Sequence, residues 1–331
     1  MAVSSASRRA LLLAVAGAGL LAAYVFSFVF AQATPEPHEL PVAVAGPASR
    51  TLTLQRRIET AGGGSFAVRR LKGTREAQRA LREREIYAAV VVGDGPARVL
   101  TAPAAGLSAT MVAVKELPGL IGAKMPQIEE VRPLAEEDPE GDALNLALFP
   151  LVIFGVLLPV LVTLVSGALV VRARIAVLAL FTVLGGTGAM AVANLALDAL
   201  PGSLVAEAGI ATLLTFSVAA CTTAFIAMLG PPGAGLGLIV FLIVGNVASG
   251  ASVVNELLPS FFRVVGPYLP PGAGADALRS TAYFDGVALL RPMLVLAGFA
   301  LAGTLLDLAL GGRRPAGQGD PAGPSPDQGP K

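Results

Sequence analysis

From residue 143 to residue 171 the chain carries no ionisable side chain, and the run stops at Arg172 and Arg174. A helix rises 1.5 Å per residue, so about twenty such residues cover the roughly 30 Å hydrocarbon core of a bilayer. No soluble fold has room for a stretch of this kind together with the five others like it. Residues 11–30, 175–197, 207–229, 236–254 and 292–310 are also apolar and almost free of charge. The sequence therefore predicts six transmembrane helices. Composition agrees: 54% of residues are hydrophobic and only 14% charged, too few charges for a water-exposed surface.

Most of the charge falls in one place. Residues 32–142 hold 14 Lys and Arg and 15 Asp and Glu, which marks a water-facing domain between the first two spans. Residues 40–45, 66–71 and 86–92 read as short apolar strands, 98–101 as a fourth and 128–134 as a last one. Helices are expected over 50–60, 74–85 and 107–117, the first stopped by Gly62, Gly63 and Gly64, and the second opened by Thr74. The order β-α-β-α-β-β-α-β predicts a small α/β domain.

The whole chain thus divides into a cytoplasmic N-terminus (1–10), a first transmembrane helix (11–31), an extracytoplasmic α/β domain (32–142), a five-helix transmembrane domain (143–310) and a disordered cytoplasmic tail (311–331). The fold class is an α-helical polytopic membrane protein carrying a small α/β domain. Orientation follows from arginines near the ends of spans. With both termini cytoplasmic, Arg8, Arg9, Arg172, Arg174, Arg313 and Arg314 lie inside, and the short outer loop at 198–203 holds no Lys or Arg. Arg263, Arg279 and Arg291 in the last outer loop count against this, but that loop is longer and partly apolar. A competing reading of the first span is a signal peptide, since Ala31-Gln32-Ala33 mimics a cleavage site; its apolar core is longer than the roughly 7 to 15 residues typical of one.

The residues also exclude chemistries. A net charge of +1 supplies no basic field for nucleic acid. No phosphate-cradling G-x-x-x-x-G-K-[ST] loop occurs, so any ATPase belongs to a separate subunit. With one histidine, His38, in a Pro-rich linker, and one cysteine, Cys221, inside an apolar run, neither a metal site nor a Ser-His-Asp arrangement is expected, and no cofactor or enzyme activity is assigned. Asp307 sits near the cytoplasmic end of the last span, where solvation beside Arg313 and Arg314 competes with a proton-relay role.

The polar residues Asn246, Ser249, Ser252, Asn255 and Glu256 form a stripe on the fifth span. It could line an aqueous path or serve interhelical hydrogen bonds. Gly185, Gly186 and Gly188 in the third span, with Gly245 and Ser249 in the fifth, read as close-packing surfaces. Residues 257–291 are punctuated by Pro259, Pro267, Pro270, Pro271, Gly272 and Gly274, which rules out one continuous helix. A short interfacial or re-entrant helix pair is expected there, an external Pro/Gly-rich cap dipping toward the bilayer. Arg279 and Asp285 flank Tyr283 and Phe284, which could anchor at the headgroup level or contact a substrate. The candidate pathway or gate is Asn246, Ser249, Asn255, Glu256, Pro270, Pro271, Arg279, Tyr283 and Phe284.

Leu269-Pro270-Pro271-Gly272-Ala273, Ala277-Leu278-Arg279-Ser280, Tyr283-Phe284 and Gly286 before the last span resemble the end of ABC-2-type membrane proteins, especially the phage-infection-protein-like branch. The outer domain is similar too, in Leu40-Pro41-Val42-Ala43-Val44, the helix at 77–81 and Ile86-Tyr87-Ala88-Ala89-Val90-Val91-Val92. The resemblance implies a permease-like subunit that exports a lipophilic or cell-envelope substrate, a homodimer among membrane lipids, and a separate ATPase subunit if ATP drives it. The outer domain lacks the long coiled-coil insert of some members, which argues against a phage-receptor role. The alternative is a non-transporting membrane scaffold or envelope-assembly factor that binds a partner through the outer domain. Abundant Ala, Gly, Pro and Arg point to a high-GC bacterium and hence to its inner membrane.

Overall fold

The computed structural model describes residues 5–33, 36–122, 126–166 and 169–310. Helix α1 (Ser5–Ala33) leads into β1 (Leu40–Ala45), α2 (Ala48–Ala61), β2 (Phe66–Leu71), α3 (Thr74–Arg82), β3 (Ala88–Val91), β4 (Arg98–Thr101), α4 (Leu107–Ile121) and β5 (Gln127–Glu130). These are the strands and helices the sequence predicts, with ends displaced by no more than about one helical turn. The sheet runs β2-β1-β3-β4-β5. β1 pairs in parallel with both β2 and β3, Val42 standing opposite Val68 on one side and Ala88 on the other. β4 turns back antiparallel on β3 and takes β5 in parallel. The central strands β1 and β3 are apolar almost throughout because they are covered on both faces. β2, at an edge, buries Phe66 and Leu71 and leaves Arg70 exposed.

One face of the sheet packs on α2 and α4, through Ile58, Ala109, Ala113 and Leu117. The other has only α3, through Ala77, Ala80 and Leu81. Neither face is closed by the sheet domain alone. Val254 and Leu257 complete the first, and Phe284 completes the second.

The rest is a bundle: α5 (Ala143–Ser166), α6 (Val171–Ala191), α7 (Leu204–Leu229), α8 (Pro232–Gly237), α9 (Ser260–Val265), α10 (Pro270–Tyr283) and α11 (Leu290–Leu310). Four stretches are long and apolar enough to cross a membrane: Ala143–Val165, Val171–Ala196, Leu204–Leu229 and Leu290–Leu310. The chain therefore has the character of a membrane protein, mostly helical with a small sheet region. Its large apolar side chains face outward as well as inward: Leu164, Val165, Leu184, Val205, Leu294 and Leu301 are all exposed. Apolar surface of this kind is stable only where the surrounding medium is apolar.

Helix α7 is the centre. It is buried along more than half its length, and glycines on its neighbours let backbones approach it. A Cβ on Gly155 of α5 would lie 2.8 Å from Val218, one on Gly186 of α6 2.8 Å from the Thr212 backbone, and one on Gly303 of α11 2.6 Å from the Ala220 and Cys221 backbone. A Cβ on Gly274 of α10 would lie 2.7 Å from Leu214. Close approach of this kind supplies the dispersion contacts and backbone proximity that hold helices together in lipid. Of the three glycines expected to pack in the third span, only Gly186 does so against a neighbour. Gly185 meets only Phe181 of its own helix, and Gly188 faces open space.

Three expectations need correction, and one is refined. The second span ends at Ser166, so Arg172 and Arg174 belong to the first turn of α6 rather than to the end of α5. The segment expected as the fifth span is short: helix and π-helix together run over residues 232–247 and then turn through Gly250 at φ +72°, so Ser249, Ser252 and Asn255 lie beyond its end, not on it. Within 257–291 two short helices, α9 and α10, stand in place of one continuous helix, as expected, and the prolines lie at their starts. Pro259 precedes α9, and Pro270 and Pro271 occupy the first turn of α10, where a missing N–H costs nothing. Eleven of the 14 residues of α10 are buried, so this helix packs within protein along most of its length. Finally, Asp307 is buried and bound by Arg174, Nε donating at 3.2 Å and Nη2 making a second bond. Arg313 and Arg314, expected as its neighbours, lie outside the described residues, as does the rest of the 311–331 tail.

Candidate functional site

The sheet domain meets the bundle over α10 and the loop that follows the 232–247 helical segment. Three segments converge there. Residues 250–257 pass under the first face of the sheet: the Val254 N–H donates to Ser108 Oγ at 3.2 Å, and the His38 N–H donates to the Glu256 carbonyl at 2.9 Å. The end of α3 brings Arg84, held at φ +59°, and the chain then reaches Tyr87 at the foot of β3. Helix α10 brings Asp276 and Arg279.

Their side chains form one connected cluster. Arg84 is ion-paired to Asp276, and its guanidinium lies 5.5 Å above the Phe284 ring. Arg132 stacks near the same ring at 5.9 Å and pairs with Asp285 at 3.1 Å. The Tyr87 hydroxyl donates to Glu256 at 3.0 Å. Loss of hydration raises the pKa of this hydroxyl, and the Glu256 carboxylate pushes in the same direction. Arg279 is buried and donates to the Gly250 and Ala251 carbonyls at 2.8 and 3.0 Å. These acceptors lie just past the end of the 232–247 helical segment, where a cation also meets the negative end of the helix dipole. Burial, and after it the Arg84 charge, draws Arg279 below the usual guanidinium range.

Arg279 is the wall between two cavities. One, of about 290 Å³, is lined by Arg84, Tyr87, Ser249, Asn255, Glu256 and Arg291 among others. The second, of about 190 Å³, has Asp138, Glu140, Asp142 and Tyr283 on its rim. Asp138 also caps α5: its Oδ1 accepts from the Asp142 and Ala143 N–H groups at 2.9 and 3.1 Å. Desolvation first, and the Asp138 charge second, push the Tyr283 phenol up to about 12.

The nine residues singled out from sequence therefore divide. Ser249, Asn255, Glu256 and Arg279 share the larger cavity, and Arg279 and Tyr283 share the smaller. Asn246 is buried beside Tyr24 of α1, away from both. Pro270 and Pro271 line neither cavity; Pro271 packs on Gly245, where a Cβ would lie 2.9 Å away. Tyr283 and Phe284 do not stand side by side at a surface. The Tyr283 hydroxyl donates to the Ala199 carbonyl at 3.3 Å, whereas Phe284 is fully buried in the sheet domain.

Sequence reasoning missed Arg84, Tyr87 and Asp276. Arg84 and Glu85 look like the solvated face of a charged helix, and nothing in the periodicity says that the chain leaves that helix in a left-handed turn aimed at α10. No group of three His, Cys, Asp or Glu side chains that could hold a metal occurs among the described residues. Comparison with protein-family models, with curated proteins and with solved structures finds no match to this chain.

Proposed function

We propose that the protein is an ABC-2-type permease-like subunit of a bacterial inner membrane. In this reading it has six spans, both termini cytoplasmic and the sheet domain outside, and it exports a lipophilic or cell-envelope substrate with any ATPase on a separate chain. The observation that carries the reading is α10. A helix that starts at two prolines, stops after 14 residues and lies buried against α5, α7 and α11 without crossing the bundle is tolerated at membrane depth only inside protein or beside a cavity. Broken helices that end at a polar cavity are a recurring device of transporters. The two remaining spans are α1, about 44 Å long at 1.5 Å per residue, and the shorter 232–247 segment. Orientation is supported by the arginines: Arg172 and Arg174 start α6, at the end of the bundle opposite the sheet domain.

A second reading is favoured by one observation. Phe284, Val254 and Leu257 are built into the sheet domain's own core, and Arg84 ties it to α10. Such a fixed platform suits a non-transporting scaffold that presents the sheet domain to a partner. Deleting the gene separates the two. The permease reading expects altered envelope lipid composition or altered efflux of lipophilic dyes, restored by the wild-type chain and not by a Pro270→Ala, Pro271→Ala, Arg279→Gln variant that still inserts. Unchanged efflux and envelope permeability in the deletion strain, with a partner captured by the sheet domain, sinks the permease reading and leaves the scaffold.

A further inference from the structure

Arg279 is over nine-tenths buried, yet no carboxylate among the described residues lies within ion-pair distance of it. Its described partners are two backbone carbonyls, both taken by Nη2. A buried guanidinium without a counter-ion is costly, and evolution usually supplies a carboxylate or replaces the charge. Here the same cavity wall adds two more arginines. Arg84 is paired on one side to Asp276 but keeps Nη1 buried without a hydrogen bond. Arg291 stands at the exposed rim, its guanidinium 4.9 Å over the Tyr268 ring and free of any carboxylate partner among the described residues. Against these three cations the cavity has two carboxylates, Glu256 and Asp276. Glu256 already accepts from Tyr87, and Asp276 already binds Arg84.

We infer that the cavity bounded by Arg84, Arg279 and Arg291 is an oxyanion site for a phosphate group, the missing counter-ion of Arg279. Planar guanidinium forks match the oxygens of a phosphate, and charge-assisted bonds made away from bulk water are the strong ones. The cavity, about 290 Å³ with the exposed Arg291 at its rim, is lined by charged and polar side chains that suit a headgroup better than an acyl chain. It lies where the bundle ends and the sheet domain begins, the level at which a lipid headgroup would present itself if the chain spans the membrane as proposed. This site deepens that reading by giving the exported or bound molecule a phosphate, either as an anionic lipid headgroup or as free phosphate.

The test uses the purified full-length protein in detergent and in lipid nanodiscs. Inorganic phosphate, phosphatidylglycerol and phosphate-free diacylglycerol are compared by thermal shift and by native mass spectrometry. Saturable binding of phosphatidylglycerol but not of inorganic phosphate identifies a headgroup site, and saturable binding of inorganic phosphate identifies an ion site; either supports the inference. Arg279→Gln and Arg291→Gln should each weaken binding by roughly tenfold or more. Arg56→Gln, on an exposed face of α2, should leave it unchanged. If Arg279→Gln fails to fold, Arg291→Gln decides, because its side chain is at the rim and its loss leaves the packing intact. Equal binding of diacylglycerol, no binding of either phosphate compound, or wild-type affinity in the folded variants overturns the site. Because binding is read without transport, a bound phosphate with no export phenotype removes the permease and keeps the site, and export without binding does the reverse.

Discussion

Arg174 in the first turn of α6 grips Asp307 in the last turns of α11 through both Nε and Nη2, although neither helix ranks among the other's main packing partners. Asp307 is 2% exposed, so this bond replaces all of its water. A lone carboxylate at that depth would signal an ion pathway; a carboxylate with a bidentate arginine is a strap between helix ends. Breaking one side leaves a buried charge without compensation, which costs about 3–5 kcal/mol. We expect Arg174→Ala to lower stability by that amount in detergent unfolding monitored by circular dichroism, and the joint replacement Arg174→Met, Asp307→Leu to recover most of it. A single mutant as stable as wild type would falsify the strap.

Two glycines of α6 give a paired test of the packing around α7. Gly186→Ala forces a methyl against the Thr212 backbone and should cost about 1–3 kcal/mol by overpacking, whereas Gly188→Ala meets nothing and should be neutral or slightly stabilising. Equal effects in a chemical unfolding series would show that α6 and α7 do not approach as described.

Phe284 is a residue of the bundle's loop that serves the core of the sheet domain. Phe284→Ala should destabilise the full-length protein by about 3–5 kcal/mol, since both a large ring and the stacking platform of Arg84 and Arg132 are lost. For the same reason an isolated fragment of residues 36–142 should show strand and helix by circular dichroism but melt well below the sheet domain in the intact chain. A fragment that melts at the same temperature would mean that the loop adds nothing.

The raised Tyr283 pKa sets a pH dependence. The unfolded chain releases the phenol proton near pH 10, and the native protein holds it until about pH 12. Between these values the native state binds more protons, so stability falls as pH rises through the window, by at most about 2–3 kcal/mol. Tyr87 shifts in the same direction. Tyr283→Phe should flatten part of the loss in denaturant midpoints measured from pH 9 to 12, and an unchanged slope would place Tyr283 in contact with water.

Topology is accessible by cysteine labelling, with Cys221 buried and silent. Cysteines at Gly93 and Ser203 should react with an impermeant maleimide in intact cells, and one at Ala173 only after permeabilisation. Ser203 is exposed, whereas a side chain at Gly202 would collide with Glu207 and the Ala282 backbone. Labelling at Ala173 alone would invert the proposed orientation.

Periodicity and length alone determined a great deal here. The four long apolar helices, and every strand and helix of the sheet domain, are local events. Apolar runs of bilayer length, alternating strands, and glycine or proline punctuation act within a few residues, so they can be read in order along the chain. The same reading overran wherever the outcome depended on what lies across space. It carried the fifth span through Ser249 and Asn255, because those residues look like a polar stripe until Gly250 turns the chain. It saw that Pro270 and Pro271 interrupt any continuous helix but not that they open α10, because a proline's effect depends on whether a helix ends or begins there. It paired Asp307 with its neighbours in sequence, while the partner is Arg174, 133 residues away. The junction was legible only in part: Glu256 and Arg279 stood out in the sequence, whereas Arg84, Tyr87 and Asp276 did not. Arg84, Tyr87, Glu256, Asp276 and Arg279 come from three separate segments, and only the docking of the sheet on α10 decides that their charges share one cavity, since ion pairs and buried cations are set by distance in space and not by spacing along the chain.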